Sequence, residues 1–263
     1  MGKLTGKTAL ITGASRGIGE GIARAFAVHG ARLILLDISD DARKLAEELK
    51  GQGYPCTAVK ADVRDSRSVS EAVRDGEEMM GSVDILVNNA GVCRLGSFLE
   101  QSDEDRDFHI DINIKGVWNV TKAVLPGMVE RGDGRIVVMS SVTGDMVADP
   151  GETAYALSKA ALVGFTKALA VEYAQSGIRM NAVCPGYVRT PMVESIAGQS
   201  NPADPESVLT EMAKAIPLRR LADPLEVGEL AAFLASDESS YLTGTQTVID
   251  GGSTLPESVS VGV

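Results

Sequence analysis

The stretch TALITGASRGIGEGIARAF, residues 8–26, joins a short apolar strand to an amphipathic helix through a turn rich in glycine. The glycines Gly13, Gly17 and Gly19 let the backbone approach a diphosphate closely, and the following helix directs its N-terminus at that anion. Many strand-to-helix turns contain glycine, so the position of the turn decides its interpretation. A place directly after the first strand and before a helix is what a dinucleotide site requires. We therefore predict that this turn holds the phosphates of a dinucleotide.

The rest of the chain alternates short apolar runs with amphipathic stretches such as 19–30 and 40–51. The apolar runs are residues 8–12, 32–37, 56–61, 84–89, 135–140, 179–184 and 245–250. Alternating strand and helix signals predict a parallel sheet with helices on both faces, and near-continuous apolar strands are what burial on both faces requires. The predicted fold class is α/β: one doubly wound, Rossmann-type domain over residues 1–263, with a seven-stranded parallel sheet.

Composition excludes several classes of function. The net charge of −11 argues against a nucleic-acid partner, which would need a basic face. The cysteines Cys56, Cys93 and Cys184 are odd in number and lack metal-ligand spacing, so we interpret them as reduced thiols and expect no metal. The N-terminus resembles no signal peptide, and no segment reaches the ~18 unbroken apolar residues of a membrane span. These features fit a soluble cytoplasmic enzyme with no membrane partner.

One segment interrupts the alternation. Residues 191–217 are rich in proline, serine and acidic residues, and are too long for an ordinary connection between a helix and a strand. The segment follows a strand end, where ligands bind in open α/β sheets. We predict a mobile substrate lid with a short helix around 207–215; the alternative is a surface insertion without a role in binding.

An acidic residue closes the second predicted strand. Asp37 lies eighteen residues after Gly19, where a carboxylate accepts hydrogen bonds from the adenosine ribose of NAD and repels the 2′-phosphate of NADP. The alternative is a capping or turn residue. Arg16, in the glycine turn, favours the opposite choice because its guanidinium can pair with a phosphate. We give Asp37 more weight and predict NAD, with NADP as the open alternative.

A tyrosine and a lysine lie four residues apart in TAYALSKAALVGFTKAL, residues 153–169. On a helix Tyr155 and Lys159 share one face. A free phenol titrates near pH ~10, and a nearby positive charge lowers that pKa. The pair could then take a proton from an alcohol or return one to an alkoxide. Ser141 precedes the tyrosine by fourteen residues.

Together these motifs resemble the short-chain dehydrogenase/reductase family, and the resemblance extends from Thr12 to about Gly252. It implies an oxidoreductase that interconverts a small-molecule alcohol and a carbonyl by direct hydride transfer with a nicotinamide cofactor. It assigns cofactor-binding positions to Gly13, Ser15, Arg16, Gly17, Ile18, Gly19, Asp37, Asp62, Val63, Asn89, Ala90, Gly91, Tyr155, Lys159, Pro185, Gly186, Val188 and Thr190. Among these, the resemblance places Asp62 at the adenine and Val188 and Thr190 at the carboxamide.

The resemblance also implies four catalytic roles. Tyr155 is the acid/base, Lys159 lowers its pKa and binds the nicotinamide ribose, and Ser141 hydrogen-bonds the substrate oxygen. Asn113 disturbs its helix and holds a water that relays protons from Lys159. The family places its serine thirteen residues before the tyrosine; one inserted residue within 145–153 explains the spacing of fourteen, and Ser140 is the less favoured candidate. The alternative is that both serines satisfy backbone groups at a strand end.

Two other functions remain alternatives. One is a non-catalytic dinucleotide-binding sensor on the same fold, which typically lacks a member of the catalytic set. The other is a lyase or epimerase that uses bound NAD transiently and usually carries a longer substrate domain. The resemblance implies a homotetramer built through helices around 103–130 and 153–175 and through the last strand. We expect Trp118 to pack in the core or in an interface, and residues 253–263 to cross a subunit interface.

The substrate pocket is predicted from position alone. Its candidates are Arg94, Met146, Glu152, Tyr187, Met192 and Val193. Glu152 precedes Tyr155 by three residues, and a buried acid there, paired with Arg94, would indicate a polar substrate. The alternative is that both are solvated charges at the rim. A steroid, a sugar, an acyl thioester and a small aldehyde all remain open as substrates.

Overall fold

Seven parallel strands form one sheet in a computed structural model that describes residues 2–256. Their spatial order is β3-β2-β1-β4-β5-β6-β7. The strands are β1 (Thr8–Thr12), β2 (Arg32–Asp37), β3 (Cys56–Lys60), β4 (Ile85–Asn88), β5 (Gly134–Met139), β6 (Ile178–Pro185) and β7 (Gln246–Ile249). The order reverses between β1 and β4, and a crevice at the carboxyl ends of these two strands is where open α/β sheets bind ligands.

Nine α-helices accompany the sheet in the described part of the chain. They are α1 (Gly17–Val28), α2 (Asp41–Gly51), α3 (Ser66–Met80), α4 (Asp103–His109), α5 (Val117–Arg131), α6 (Thr153–Tyr173), α7 (Pro191–Ser200), α8 (Pro205–Ala215) and α9 (Pro224–Ala235). A π-helical stretch, Ile110–Gly116, joins α4 to α5. Helices α1, α2 and α9 cover one face of the sheet, and α3, α5 and α6 cover the other.

The strands are buried on both faces. In β1, Leu10 lies in the core on the α3 side and Ile11 in the core on the α1 side, and both are fully buried. Neighbouring β2 repeats the pattern with Ile34 and Leu35. The predicted doubly wound parallel sheet is confirmed, and each predicted strand agrees with the structure to within a residue at each end.

Two glycines set how closely α1 packs against α9. A Cβ atom on Gly21 would lie 2.4 Å from the carbonyl carbon of Pro224, and one on Gly228 would lie 2.6 Å from the carbonyl oxygen of Gly21. Contacts this short exclude a side chain at either position. The backbones of the two helices therefore touch, and this contact fixes the first half of α1 beside the glycine turn.

The segment 191–217 differs from its prediction. It forms two helices, α7 and α8, and the expectation of one short helix around 207–215 missed the first of them. Both helices begin with a side-chain cap followed by proline: Val193 N donates to Thr190 Oγ1 (3.3 Å), and Ser207 N donates to Asp204 Oδ1 (3.1 Å). A cap followed by proline is a start signal that the sequence displays at both places.

The two ends of this segment are fastened to each other. Val188 and Ala222 form a parallel bridge, in which Arg189 N donates to Ala222 O (2.9 Å) and Ala222 N donates to Tyr187 O (3.0 Å). Further on, Leu218 N donates to Gly251 O (3.2 Å). Helices α7 and α8 therefore extend from a fixed base at the carboxyl edge of the sheet.

By length and composition alone, the helical stretch Thr153–Ser176 could cross a membrane, with a mean hydropathy of 1.2. In the structure α6 packs against β6 and carries the buried Lys159, and its buried apolar residues Leu162 and Ala170 belong to the layer that covers the sheet. Core helices of this kind pass the same test. The predicted crossing of an interface by the tail concerns residues that mostly lie outside those described, at 257–263.

Candidate active site

The backbone of the glycine turn packs closely against itself and against the loop that follows β4. Gly13 has φ +61°, and a Cβ there would lie 2.8 Å from the Cα of Ala90. A Cβ on Gly19 would lie 2.0 Å from the carbonyl oxygen of Gly13. Within the described residues no side chain caps the start of α1, so its first N–H groups stay available to an anion. A cradle closed to Cβ atoms and an uncapped helix start both fit a bound diphosphate.

Hydrogen bonds fasten this turn to the end of β4. The backbone N–H groups of Asn89 and Ala90 both donate to Thr12 Oγ1 (3.0 Å each). In return Asn89 Nδ2 donates to the carbonyls of Thr12 (2.9 Å) and Gly13 (3.0 Å). The two strand ends at the crevice are thus held in one rigid unit. Ile18 packs from the start of α1 against the core behind them.

Asp37 lies beside the turn and is buried. Its Oδ2 accepts from Ser15 N and its Oδ1 from Ser39 N, both at 2.9 Å. The carboxylate is therefore fixed at the end of β2. Arg16 is exposed and lies near Asp41, whose pKa is lowered by Lys44, by the Ser39 hydroxyl and, more weakly, by Arg16.

Asp62 and Val63 follow β3 along the same edge. Asp62 forms an ion pair with Arg64 (Nη2 to Oδ2, 2.6 Å), and Arg64 lowers the pKa of the Asp62 carboxyl. Val63 is buried against Gly116, where a Cβ would come within 2.7 Å of its Cγ2. Within this structure the Asp62 carboxylate is engaged by Arg64, so its contact with adenine stays a prediction.

Lys159 and Tyr155 lie at the start of α6, as their spacing predicts. The Lys159 Nζ atom is 5.6 Å from the centroid of the Tyr155 ring. Lys159 is buried, and its Nζ donates to the carbonyl of Met139 at the end of β5 (2.8 Å). A Cβ on Gly91 would lie 3.3 Å from the same Nζ, so the loop after β4 also reaches the lysine.

The two serines at the end of β5 have different partners. Ser140 Oγ donates to the carbonyl of Lys159 (2.8 Å), so this hydroxyl is committed to the backbone. Ser141 Oγ accepts from Thr143 N (3.1 Å), and the Ser141 hydroxyl acts to lower the pKa of Tyr155. Of the two candidates, Ser141 is therefore the one that the structure brings to the tyrosine.

Burial dominates the protonation of this pair. It raises the pKa of Tyr155 above its ordinary value, although the bond with Ser141 opposes the rise. Burial also lowers the pKa of Lys159, to about 8. The pKa of Tyr155 thus moves opposite to the sequence-based expectation of a lowered value, because desolvation of the phenolate is the largest effect on it.

Asn113 connects three elements. It is fully buried in the π-helical stretch; its Nδ2 donates to Val92 O (3.0 Å) and to Ser158 Oγ (2.9 Å), while its Oδ1 accepts from Val92 N (2.9 Å). Ser158 in turn donates to the carbonyl of Tyr155 (2.8 Å). The sequence analysis did not identify Ser158, whose only signal is its place between Tyr155 and Lys159.

His109 is a second residue that the sequence analysis did not connect with the site. It is buried, and its Nε2 accepts from the backbone N–H of Arg94 (3.0 Å), while its Nδ1 donates to Asp105 O (2.7 Å). The ring therefore joins the loop after β4 to helix α4. Only its position at the end of a helix near Asn113 could have suggested this role.

The end of β6 lies opposite, against the glycine turn. Gly186 N donates to Ile249 O (3.0 Å), and a Cβ on Gly186 would lie 2.8 Å from the Cβ of Asp250, so Pro185 and Gly186 are held beside β7. Val188 and Thr190 are buried, and a Cβ on Gly17 would lie 3.3 Å from the Cβ of Thr190. The start of α7 is therefore placed over the phosphate turn.

Arg94 does not pair with Glu152, which was one of the two alternatives that the sequence left open. Its Nη1 forms an ion pair with Asp105 (2.9 Å), and its guanidinium carbon lies 3.7 Å from the centroid of the Phe108 ring. Arg94 is thus the exposed rim charge of the alternative reading, while Glu152 is half-buried. Burial raises the pKa of Glu152, Asp149 raises it further, and the Thr143 hydroxyl opposes the rise.

The remaining pocket candidates border the same region. Tyr187 is half-buried and its hydroxyl donates to Asp149 Oδ2 (3.2 Å). Met192 and Val193 are half-buried on α7, and Met146 is exposed in the loop before α6. Within residues 2–256 no group of three or more His, Cys, Asp or Glu side chains is arranged to hold a metal ion.

The raised pKa of Tyr155 makes a direct prediction for the protein without cofactor. Because burial favours the neutral phenol, Tyr155 should ionise above the ordinary pKa of about 10. Ultraviolet difference titration of the wild type against Tyr155→Phe isolates this phenol. Unfolding both proteins in urea is the control, and it should return the difference to the ordinary pKa. A Tyr155 signal at or below the ordinary value in the folded protein would contradict this account of the site.

Comparison with known proteins agrees with this geometry. The profile of the family described as enoyl-(acyl carrier protein) reductase matches residues 13–254. The chain is 84% identical to oxidoreductase UcpA of Salmonella typhimurium over 263 residues, which is all of both chains. A solved short-chain type dehydrogenase/reductase from Mycobacterium marinum superposes with a TM-score of 0.89 at 37% identity, covering 97% of this chain and 98% of that one.

A second solved structure was determined with a nucleotide. A gluconate 5-dehydrogenase from Burkholderia cenocepacia, in complex with NADP and tartrate, superposes with a TM-score of 0.89 at 32% identity over 97% of each chain. The full-length identity, the matched profile and the shared sheet all lead to one assignment. The chain belongs to the short-chain dehydrogenase/reductase family.

Proposed function

We propose that this oxidoreductase interconverts an alcohol and a carbonyl by direct hydride transfer with NAD(H), using Tyr155 as the acid/base. One observation carries the proposal: the buried Lys159 lies one helical turn from Tyr155, with its Nζ atom 5.6 Å from the centroid of the ring and bonded to the strand end that Ser141 follows. This group lies at the same edge of the sheet as the glycine turn, so a dinucleotide held there could present its reactive end to the tyrosine.

When bound, the nicotinamide supplies or accepts the hydride. The glycine turn would hold the diphosphate, Asp37 the adenosine ribose, and Lys159 the nicotinamide ribose. Asp62 and Val63 border the place proposed for adenine, and Val188 and Thr190 the place proposed for the carboxamide.

Tyr155 supplies the proton that balances the hydride. In reduction it donates its hydroxyl proton to the carbonyl oxygen; in oxidation its phenolate form, left after it has given its proton to the relay, takes the proton of the alcohol. Ser141 donates a hydrogen bond to the same oxygen and stabilises its developing charge. A neutral Tyr155, which burial favours, is the form that reduction requires.

Lys159 and Asn113 return the proton to Tyr155. With a pKa lowered to about 8, Lys159 can change its protonation state near neutral pH. Asn113 holds the loop around Gly91, which lies against the ammonium, and a water between Asn113 and Lys159 completes the proposed relay.

Asp37 supports NAD over NADP. Its fixed carboxylate at the end of β2 would repel a 2′-phosphate by about 4 kcal/mol per unit charge at about 4 Å and an effective dielectric of about 20. Arg16 is the opposing feature, but its guanidinium lies near Asp41. The NADP in the Burkholderia protein belongs to that protein, so the preference of this chain rests on its own residues.

We also propose a homotetramer in the cytoplasm. Trp118 packs on Phe165 (5.8 Å between centroids) yet stays 56% exposed on the α5–α6 surface, together with Leu157 and Val171, so it lies outside the core. A second exposed apolar surface includes Tyr241 and Val248 beside β7. Two separate apolar surfaces suit a tetramer. Sedimentation equilibrium should give four times the chain mass, and a monomer would exclude this assembly.

The three cysteines, all within residues 2–256, are unpaired, as a reducing compartment allows.

The two serines provide the sharpest variants for testing the activity. A panel of secondary alcohols and polyols with NAD and NADP identifies a substrate by the appearance of reduced cofactor. On that substrate Ser141→Ala should lower kcat by about 10²–10³-fold, because it removes a donor to the charged oxygen. Ser140→Ala should instead lower the free energy of unfolding by about 1 kcal/mol, because it removes the buried hydrogen bond from this hydroxyl to the Lys159 carbonyl. A larger loss of kcat in Ser140→Ala would contradict the assignment of Ser141.

The cofactor preference is tested by binding alone. Asp37→Asn removes the charge and keeps one of the two oxygens that accept from the N–H groups of Ser15 and Ser39, so NADPH should bind at least about tenfold tighter than to the wild type. Fluorescence titration with NADH and NADPH measures both affinities. Glu47→Gln is the control, since that exposed carboxylate on α2 pairs with Lys50 (2.8 Å). An unchanged ratio of the two affinities in Asp37→Asn would refute the role of Asp37.

A further inference from the structure

Three loops converge beside Tyr155. They are residues 91–96 after β4, residues 142–152 between β5 and α6, and residues 186–190 after β6. Gly96 N donates to Gly151 O (3.0 Å), which joins the first loop to the second. The Tyr187 hydroxyl donates to Asp149 Oδ2 (3.2 Å), which joins the second to the third. These three loops, which we call the walls of the substrate side, are therefore fixed to one another by hydrogen bonds.

Glu152 lies on these walls nearest to the start of α6. It is the residue that precedes the first turn of the helix, three residues before Tyr155. Among the described residues its carboxylate accepts no capping bond from the first turn of α6. It is half-buried, and its charge acts on Tyr155, Cys93 and Tyr187. Its place directly before the helix that carries Tyr155, on a loop joined to the other two, puts Glu152 on the substrate side of the site.

The cations nearby are already engaged. Arg94 is held by Asp105 and by the Phe108 ring, and Lys159 by the carbonyl of Met139. Within residues 2–256 Glu152 forms no ion pair, and the charged side chain next to it is another acid, Asp149. Beyond the Thr143 hydroxyl, the carboxylate therefore needs hydrogen-bond donors, which a half-buried acid obtains from a ligand or from water.

A substrate whose reacting oxygen lies between Tyr155 and Ser141 would present its neighbouring carbon to Glu152. A hydroxyl on that carbon can donate to the carboxylate, a charge-assisted bond that is stronger than a neutral one. A hydrogen there leaves the acid unpaired, and a carboxylate there adds a third negative charge beside Glu152 and Asp149. We therefore expect Glu152 to favour a neighbouring hydroxyl over a hydrogen, and to disfavour a neighbouring carboxylate.

We propose that Glu152 is the specificity-determining residue and selects vicinal diols and α-hydroxy ketones over simple alcohols and over substrates with an adjacent carboxylate. This inference rests on the proposed oxidoreductase function. In oxidation of such a diol, the hydrogen on the reacting carbon leaves as hydride to the nicotinamide and the hydroxyl proton passes to Tyr155. The product is the hydroxy ketone, and the second hydroxyl stays intact on Glu152.

Three matched ring compounds test the proposal by binding. They are cis-1,2-cyclohexanediol, cyclohexanol and cis-2-hydroxycyclohexanecarboxylate, which differ only in the group next to the alcohol. Calorimetric titration uses the protein loaded with reduced cofactor, with which alcohols form no product. The wild type should bind the diol at least about tenfold tighter than cyclohexanol, as one hydrogen bond to a charged group provides, and the carboxylate most weakly.

Variants of Glu152 should change this order. Glu152→Ala should bring the diol to within about threefold of cyclohexanol and strengthen binding of the carboxylate, whereas Glu152→Gln should keep most of the diol preference and still admit the carboxylate. Glu172→Ala removes an exposed acid at the far end of α6, and as the control it should behave like the wild type. A merely structural role of Glu152 would weaken all three ligands together.

Equal binding of diol and cyclohexanol by the wild type, a preference that survives Glu152→Ala, or no binding of any of the three would overturn the proposal. Turnover with oxidised cofactor tests the underlying function separately. If cyclohexanol is oxidised as fast as the diol, the role of Glu152 in specificity is refuted, while the proposed oxidoreductase activity is supported. If the protein prefers the diol in a Glu152-dependent way but does not oxidise it, the role of Glu152 in specificity is supported and the proposed oxidoreductase function is refuted.

Discussion

Two hydrogen bonds tie the end of β5 to the middle of α6 in a reciprocal pair. Lys159 Nζ donates to the carbonyl of Met139, and Ser140 Oγ donates to the carbonyl of Lys159. A buried ammonium must be compensated, so the first bond is strongly favoured once the helix packs on the sheet. The second gives the buried Ser140 hydroxyl an acceptor in the same interior. Together they set the distance from Ser141 to Tyr155, on which the proposed proton transfer depends.

A second unit is built against the first. Thr12 and Asn89 join the glycine turn to the end of β4, and Gly91, two residues further on, lies against the lysine. The proposed phosphate site and the proposed acid/base pair are thus parts of one hydrogen-bonded edge of the sheet. Carboxylates stand at its two ends: Asp37 beside the proposed ribose position and Glu152 beside the proposed substrate position. Each is partly or fully buried, so each can discriminate between ligands that differ by one charged group.

The sequence predicted the sheet well because strands buried on both faces are near-continuous apolar runs, and seven such runs are easily recognised. It missed α7, although Thr190 followed by Pro191 is a helix start, because the composition of 191–217 favoured a loop. Features that depend on burial or on distant partners were harder to predict. The pKa of Tyr155 rises because of its surroundings, and Arg94 turns to Asp105 and Phe108 on a neighbouring helix. The choice between Ser140 and Ser141 follows from which hydroxyl the backbone of α6 occupies, which spacing alone leaves open.

The central claim is that Tyr155 exchanges the proton while other residues hold the cofactor. Parallel measurement of NADH affinity and of turnover in wild type and Tyr155→Phe tests it most directly, with a substrate that the wild type converts. The account predicts an NADH dissociation constant within about threefold of the wild type and a loss of turnover of at least about a hundredfold, the usual contribution of general acid/base catalysis. Turnover in Tyr155→Phe close to that of the wild type would contradict it.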